Sequence, residues 1–165
     1  MEIKWVSGDG GPHILMERKY LDLWAEQKET LYEKACQIDD YIGNLQLLDI
    51  SLIVISEEMT HTAWITGEEW GGGIIIGLNY MDEEFDEEIL IENVRKISND
   101  DYSETGVEYK VFDDELYLFP ACDVKVGGYY NYNKVHLFPG IYKVKIIEKY
   151  ILYNASFILY KFIKL

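Results

Sequence analysis

Residues 32–55 constrain the fold more than any other part of the sequence. At the start of this segment, Leu31, Ala35 and Ile38 stand three or four residues apart, which is the spacing of one buried helical stripe. The pattern then changes to strand, and the run Ile50–Ile55 is apolar at both odd and even positions. Such a run is typical of a strand that is covered on both faces. The segment therefore predicts a short helix followed by a hairpin at the centre of the core.

Strand patterns dominate the rest of the chain. Val107, Tyr109 and Val111 alternate with charged residues, and a similar alternation begins at Tyr142. With 165 residues, 48% of them apolar, the chain is long enough to bury a core as one domain. Regular short strands separated by turn residues favour a sandwich. We therefore predict a single domain over residues 1–165, mostly β, with an antiparallel β-sandwich-like fold and one or two short helices.

The glycine-rich segment at residues 8–12 lies between two predicted strands, residues 3–7 and 13–16. It is not followed by Lys-Ser/Thr and contains no G-x-G-x-x-G before a helix, so it does not match a phosphate-binding loop. We predict that it is a turn that joins the two strands as a hairpin. Between residues 17 and 29 the sequence is polar, and Trp24 is expected to pack onto the sheet.

The chain is strongly acidic. Thirty Asp and Glu residues against fifteen Lys and Arg give a formal net charge of −15. Such a protein repels nucleic acid and anionic membranes and attracts basic partners. The alternative is that the charge serves solubility alone.

Residues 81–101 concentrate this charge in one predicted helix. Asp82 is the predicted cap, and Phe85, Ile89 or Leu90, Val94 and Ile97 form its buried stripe. The outer face carries four acids, which we predict to be half of a docking surface rather than an ordinary solvated face: Glu83, Glu84, Glu87 and Glu88.

A second candidate contact is the loop around Trp70, which stands between Glu68, Glu69 and three glycines. A tryptophan at a loop tip is a candidate for recognition, because tryptophan is enriched among residues that dominate binding energy. The alternative is that Trp70 folds back over the edge of the sheet.

The sequence contains no pattern that indicates catalysis or a bound cofactor. His13, His61 and His136 lack metal-like spacing, and neither a G-x-S-x-G nor an H-E-x-x-H motif occurs. We therefore predict no enzyme activity, no cofactor and no metal.

Cys36 and Cys122 are predicted to be buried free thiols in a reducing compartment. The first residues do not resemble a signal peptide, so a cytoplasmic protein is expected.

Several short pieces of sequence occur in an order that is more informative than any piece alone. They are Trp5-Val6-Ser7 with Gly10-Gly11-Pro12, Trp24, Tyr32-x-x-Ala35-Cys36 with Tyr41-Ile42-Gly43, Thr62-Ala63-Trp64, Leu116-Tyr117-Leu118-Phe119 and Pro139-Gly140-x-Tyr142-x-Val144. Together they resemble the immunity protein 21 family of bacterial polymorphic toxin systems. A fainter resemblance is to small β-rich inhibitors of competence-associated nucleases. The sequence departs from the first family at Pro120 and in the tail from Glu148 onward.

The resemblance implies a mostly β protein that binds and neutralises a cognate toxin. Combined with the acidic composition, it predicts a basic toxin protein as partner, such as a nuclease, that is blocked by occlusion, with neither nucleic acid nor membrane as a partner. One alternative is a binding module for a small ligand such as a carbohydrate, with Trp64 or Trp70 as the stacking platform. Another is a hydrolase that uses paired carboxylates.

Overall fold

The computed structural model describes residues 3–8, 11–56, 59–67, 71–81, 84–122 and 131–165. The described strands are β1 (Val6–Ser7), β2 (His13–Glu17), β3 (Ile42–Leu47), β4 (Ile50–Ile55), β5 (His61–Thr66), β6 (Gly73–Met81), β7 (Ser103–Val111), β8 (Glu115–Pro120), β9 (Asn133–His136), β10 (Gly140–Leu152) and β11 (Ala155–Lys164). The described α-helices are α1 (Leu21–Glu26), α2 (Lys28–Cys36) and α3 (Glu87–Arg95), and short 3-10 helices lie at Arg18–Tyr20 and Asn99–Asp101. Within these ranges, no helix has the length and apolar character needed to cross a membrane.

The strands form two antiparallel sheets. The larger has six strands in the order β1-β5-β6-β11-β10-β7, and the smaller has five in the order β3-β4-β2-β8-β9. The pairings between described strands are all antiparallel. The predicted sandwich-like fold of a mostly β chain is therefore confirmed, although three short α-helices accompany the sheets where one or two were predicted.

The inner core lies between the two sheets. The six-stranded sheet contributes large side chains such as Tyr142, Tyr160 and Phe162, and the five-stranded sheet contributes aliphatic ones such as Leu15 and Ile53. All five of these residues are completely or almost completely buried. Packing of two sheets through interdigitated side chains is the arrangement expected of a β-sandwich.

Each sheet is also covered on its outer face. Helices α1 and α2 pack on the five-stranded sheet, where Trp24 and Leu31 meet Val54 and Phe119. Helix α3 packs on the six-stranded sheet through Leu90 and its neighbours. The molecule thus has four layers in the order helix, sheet, sheet, helix, and this is why its central strands are apolar on both faces.

The predicted central hairpin is confirmed. β3 and β4 pair with Ile42 opposite Ile55 and Leu47 opposite Ile50. In β4, Leu52 and Val54 face the helices, whereas Ile53 and Ile55 face the inner core. The predicted helical stripe is confirmed for Leu31 and Ala35, which are buried in α2, whereas Ile38 follows the end of the helix and is partly buried. β3 itself lies at the edge of the sheet.

The predicted hairpin across the glycine-rich segment is wrong. β1 pairs with β5 in the six-stranded sheet, whereas β2 pairs with β4 and β8 in the five-stranded sheet. The segment between β1 and β2 therefore carries the chain from one sheet to the other. The expected polar segment after β2 contains helix α1, in which Trp24 is buried as predicted and donates its indole N–H to the carbonyl oxygen of Ala121 at 3.2 Å.

The C-terminal segment is part of the main sheet. β10 and β11 form a long hairpin, and β11 lies between β10 and β6 in the interior of the six-stranded sheet. Its side chains alternate between the two cores, with Ile158 and Tyr160 facing inward and Phe157 and Leu159 facing α3. The residues from Glu148 onward, which depart from the resemblance, thus supply one of the most buried strands.

The thiols differ from the prediction in their exposure. Both cysteines are free, as predicted, but Cys36 is exposed and Cys122 is partly exposed. Cys36 follows the buried Ala35 in α2, so it is rotated by one helical position away from the core. Its thiol hydrogen-bonds the hydroxyl of Tyr32, and this bond together with burial raises the pKa of Tyr32.

A buried carboxylate ties the two sheets together. Glu17 at the end of β2 is 3% exposed, and its Oε1 accepts hydrogen bonds from the backbone N–H groups of Phe112 at 2.8 Å and Asp113 at 3.1 Å. These two residues begin the turn that leads from β7 of one sheet to β8 of the other. Glu17 therefore fixes the point at which the chain passes between sheets.

We predict that Glu17→Ala lowers the free energy of unfolding by roughly 2–4 kcal/mol, because two backbone N–H groups lose a charged acceptor. Glu17→Gln keeps an oxygen acceptor and is expected to cost less. Glu108→Ala, at an exposed position of β7, is the control and is expected to change stability by no more than about 0.5 kcal/mol. Urea unfolding of the three variants measures this, and equal costs for Glu17→Ala and Glu108→Ala would contradict the assigned role.

Candidate functional site

A cavity of about 380 Å³ opens at one end of the six-stranded sheet. This volume is within the range of roughly 300–1,000 Å³ typical of ligand pockets. Its walls combine aromatic, aliphatic and acidic side chains, contributed by the N-terminal segment, β5, β6 and the start of α3: Trp5, His61, Leu78, Met81, Glu84, Phe85 and Glu87.

Strand pairing brings together residues here that are distant in the sequence. His61 begins β5 and lies opposite Leu78 of β6. β1 pairs antiparallel with β5, with Ser7 opposite His61, so Trp5, two residues before Ser7, lies diagonally across from His61. The Trp5 and His61 rings meet edge to face, with centroids 6.5 Å apart and planes at 86°. The cavity is therefore a product of tertiary pairing at the edge of the sheet.

Phe85 joins the cavity to the core under α3. Its ring meets Trp5 at 6.1 Å and 83°, and on its other side it meets the buried Phe157 of β11 at 5.2 Å and 87°. Edge-to-face contacts of this kind add stability beyond the area that they bury. They also hold the Trp5 ring in a defined position at the cavity wall.

Two acids at the start of α3 have structural contacts. Asp86 is the N-cap, and its Oδ1 accepts from the backbone N–H groups of Glu88 at 2.9 Å and Ile89 at 3.4 Å. Glu87 accepts the indole N–H of Trp5 at 2.9 Å with Oε1 and the backbone N–H of Ile3 at 3.2 Å with Oε2. The helix therefore begins at Glu87, and Asp86, rather than the predicted Asp82, is its cap; Asp82 itself lies outside the described residues.

The predicted acidic surface divides into residues with different roles. Glu84 is exposed and lines the cavity, Glu87 lines it while holding the N-terminal segment, and Glu88 is exposed on α3 away from the lining. The other predicted contacts, Glu83, Glu68, Glu69 and Trp70, lie outside the described residues. The predicted helical stripe is close to the observed one, because Leu90, Ile91 and Val94 are buried, with Phe85 and Ile97 packed beside them.

Negative charge around the cavity has no cationic counterpart in the described structure. Among the described acids, only Glu17, Glu104 and Glu115 lie within ion-pair distance of a Lys or Arg. Glu84 and Glu87 are not among them. The cavity wall also exposes an apolar side chain at the end of β6, because Met81 is 46% exposed. The site thus combines exposed apolar surface with carboxylates that no described Lys or Arg neutralises.

Other polar groups in the described part of the chain are dispersed. His13, His61 and His136 lie on three different strands, and no group of three or more His, Cys, Asp or Glu is placed to hold a metal ion. Burial, with a further contribution from Lys145, lowers the pKa of Lys161, whose Nζ lies 5.3 Å from the centroid of the Tyr102 ring. Neither Lys161 nor Tyr102 lines the cavity.

Trp64 does not present an open platform of the kind that a sugar stacks on. Its ring crosses Gly73 so closely that a Cβ atom at that position would collide with it, and it meets Phe162 at 5.9 Å. Its indole N–H donates to Oγ1 of Thr66 at 3.0 Å. Trp64 is therefore committed to packing, while Trp70, the other proposed platform, lies outside the described residues.

Trp5 and His61 were not among the residues predicted for a site. They stand 56 positions apart, and although Trp5 belongs to one piece of the family resemblance, nothing in the sequence links it to His61. Only the pairing of β1 with β5 puts them side by side, so no local pattern could have signalled the cavity.

Comparisons with known proteins add no assignment for this site. No family model, no curated protein and no solved structure matches the chain. The resemblance to the immunity protein 21 family therefore stays a prediction.

We predict that Glu87→Ala destabilises the protein more than Glu88→Ala does. Both changes remove a negative charge from the first turn of α3, which is worth about 0.3–1 kcal/mol. Glu87→Ala also removes two hydrogen bonds, at about 0.5–3 kcal/mol each. The matched pair therefore isolates the contacts of Glu87. Urea unfolding, together with the NMR signal of the Trp5 indole N–H, measures the difference, and equal stability of the two variants would contradict the assignment.

Proposed function

We propose that this protein is an immunity protein, which binds a basic toxin protein and neutralises it by covering the toxin's active surface. The observation that carries the proposal is the aromatic cavity that Glu84, Glu87 and the exposed Met81 help to line. Sites where proteins associate commonly combine an aromatic and apolar centre with a polar rim. In this proposal the chain acts by binding and not by catalysis.

The net charge of −15 supports a basic partner in particular. Opposite net charges raise the rate at which two proteins meet, and uncompensated acids on one face orient the encounter. The order of sequence pieces shared with the immunity protein 21 family supports the same conclusion, since that resemblance implies a toxin as the partner.

Co-expression tests the function directly. Each neighbouring reading frame is expressed alone and together with this protein, and cell survival is scored. We expect one neighbour to be toxic alone and harmless in the presence of this protein. A neighbour that remains toxic at full expression of this protein, or the absence of any toxic neighbour, would count against the proposal.

A charge-reversal pair tests where the partner binds. Glu84→Lys with Glu88→Lys is expected to slow association with the toxin roughly tenfold at low salt, because electrostatic steering falls when the local field reverses. Glu29→Lys with Glu33→Lys on α2 changes the net charge by the same amount at exposed positions on the opposite outer face, and is therefore the matched control.

Stopped-flow mixing at several salt concentrations measures both double variants. We expect the difference between them to shrink as salt rises, since screening acts over about 8 Å at physiological ionic strength. Equal association rates for the two double variants would place the contact elsewhere on the surface.

A further inference from the structure

We infer that the cavity between Trp5, His61 and Phe85 is a receptor for the guanidinium group of an arginine side chain supplied by the partner protein. The inference rests on the proposed function for the identity of the partner. The chemistry of the cavity itself is independent of that function, and the experiment below separates the two.

The cavity favours a cation. Glu84 and Glu87 both line it, and neither is neutralised by a described Lys or Arg. The faces of aromatic rings carry partial negative charge and attract cations that lie within about 6 Å of the ring centroid. Trp5 lies edge to face with both His61 and Phe85, and all three rings line the cavity, so a cation that enters it lies among aromatic rings. Carboxylates and aromatic faces together form a cation site.

The start of α3 does not oppose a cation here. The first turn of a helix carries partial positive charge from its unpaired N–H groups. Asp86 accepts from two of these groups, and the carboxylates of Glu87 and Glu88 lie in the same turn. Three negative charges therefore outweigh the roughly half charge of the helix end.

Guanidinium fits this lining better than ammonium does. It is planar, weakly hydrated and able to stack on aromatic rings while its five N–H groups donate in several directions. Each oxygen of Glu87 accepts one hydrogen bond already and has capacity for another. His61 adds a third flat ring to the lining. A compact ammonium group presents no flat surface to the rings.

The occupant is inferred to be a protein side chain because of the surroundings of the cavity. Met81 lines the cavity and is 46% exposed, so it offers apolar surface to whatever carries the cation. Arginine is enriched at the centres of protein interfaces and among the residues that dominate binding energy. An arginine from a basic partner would place its charge among the acids and its aliphatic stem against Met81.

The first test uses N-acetyl-arginine methylamide as the probe and the full chain as the receptor. Titration is followed by NMR through the indole N–H signal of Trp5. We expect saturable shifts of this signal with the arginine probe, at least tenfold weaker binding of the citrulline analogue, which has the same shape without the charge, and weaker binding of the lysine analogue.

Two variants locate the binding. Glu84→Gln, at an exposed position, is expected to weaken binding of the arginine probe by about fivefold or more, whereas Glu88→Gln, its matched control outside the lining, leaves binding within twofold. Met81→Arg places a guanidinium at the rim and is expected to abolish probe binding through occupation of the cavity from within. Absence of a Trp5 shift, equal binding of citrulline and arginine, or equal effects of Glu84→Gln and Glu88→Gln would overturn the inference.

The partner is tested separately. With the toxin found by co-expression, Met81→Arg is expected to speed dissociation at least tenfold, while Glu29→Lys with Glu33→Lys does not. If the protein protects cells but the probe does not bind, the arginine receptor is wrong and the proposed function stands. If the probe binds as expected but no neighbour is neutralised, the receptor stands and the proposed function is wrong.

Discussion

The structure depends on burial of both faces of both sheets. Because α1 and α2 cover one sheet and α3 covers the other, an inner strand such as β11 must be apolar at successive positions, and it directs Phe157 and Tyr160 into different cores. This requirement leaves few places for polar backbone or charged groups. The described acids are consequently at the surface, at turns and at the edges of the sheets, with Glu17 as a buried exception whose Oε1 accepts from two backbone N–H groups. The cavity lies between the segment that leads into α3 and residues of the N-terminal segment, β5 and β6.

The carboxylates of this chain fall into two groups. Some hold the backbone: Glu17 binds the turn between the sheets, Asp86 caps α3, and Glu87 anchors Trp5 and Ile3. Others, such as Glu84, are exposed and paired with no described cation. Only the exposed carboxylates can bind a partner's cation without losing hydrogen bonds within the protein. A charge count from the sequence alone treats both groups equally, so it could not predict that the described acids Glu84, Glu87 and Glu88 have different roles.

What the sequence predicted well is local and strongly periodic. The β3–β4 hairpin and the inward alternation of Val107, Tyr109 and Val111 follow from side-chain periodicity that burial imposes directly. Helix α1 was missed because six residues hold too few turns for a helical period to stand out. The β1–β2 hairpin was wrong because a glycine-rich segment has the same composition whether it closes a turn within a sheet or connects two sheets. The exposure of Cys36 depends on its rotation about α2, which its apolar neighbours in sequence do not reveal.

The cavity is predictable only once the pairing of β1 with β5 is known, and its rigidity follows from that pairing. Trp5 is held on three sides, by His61, by Phe85 and by the hydrogen bond to Glu87. A ring fixed in this way loses little further side-chain freedom when a ligand arrives, so more of the contact energy remains as affinity. Glu84, by contrast, is exposed and has no described partner, and a ligand must order it. The two acids of the cavity therefore contribute to binding in different ways. Glu87 holds the cavity wall in place before a ligand arrives, whereas Glu84 becomes ordered when it contacts the cation.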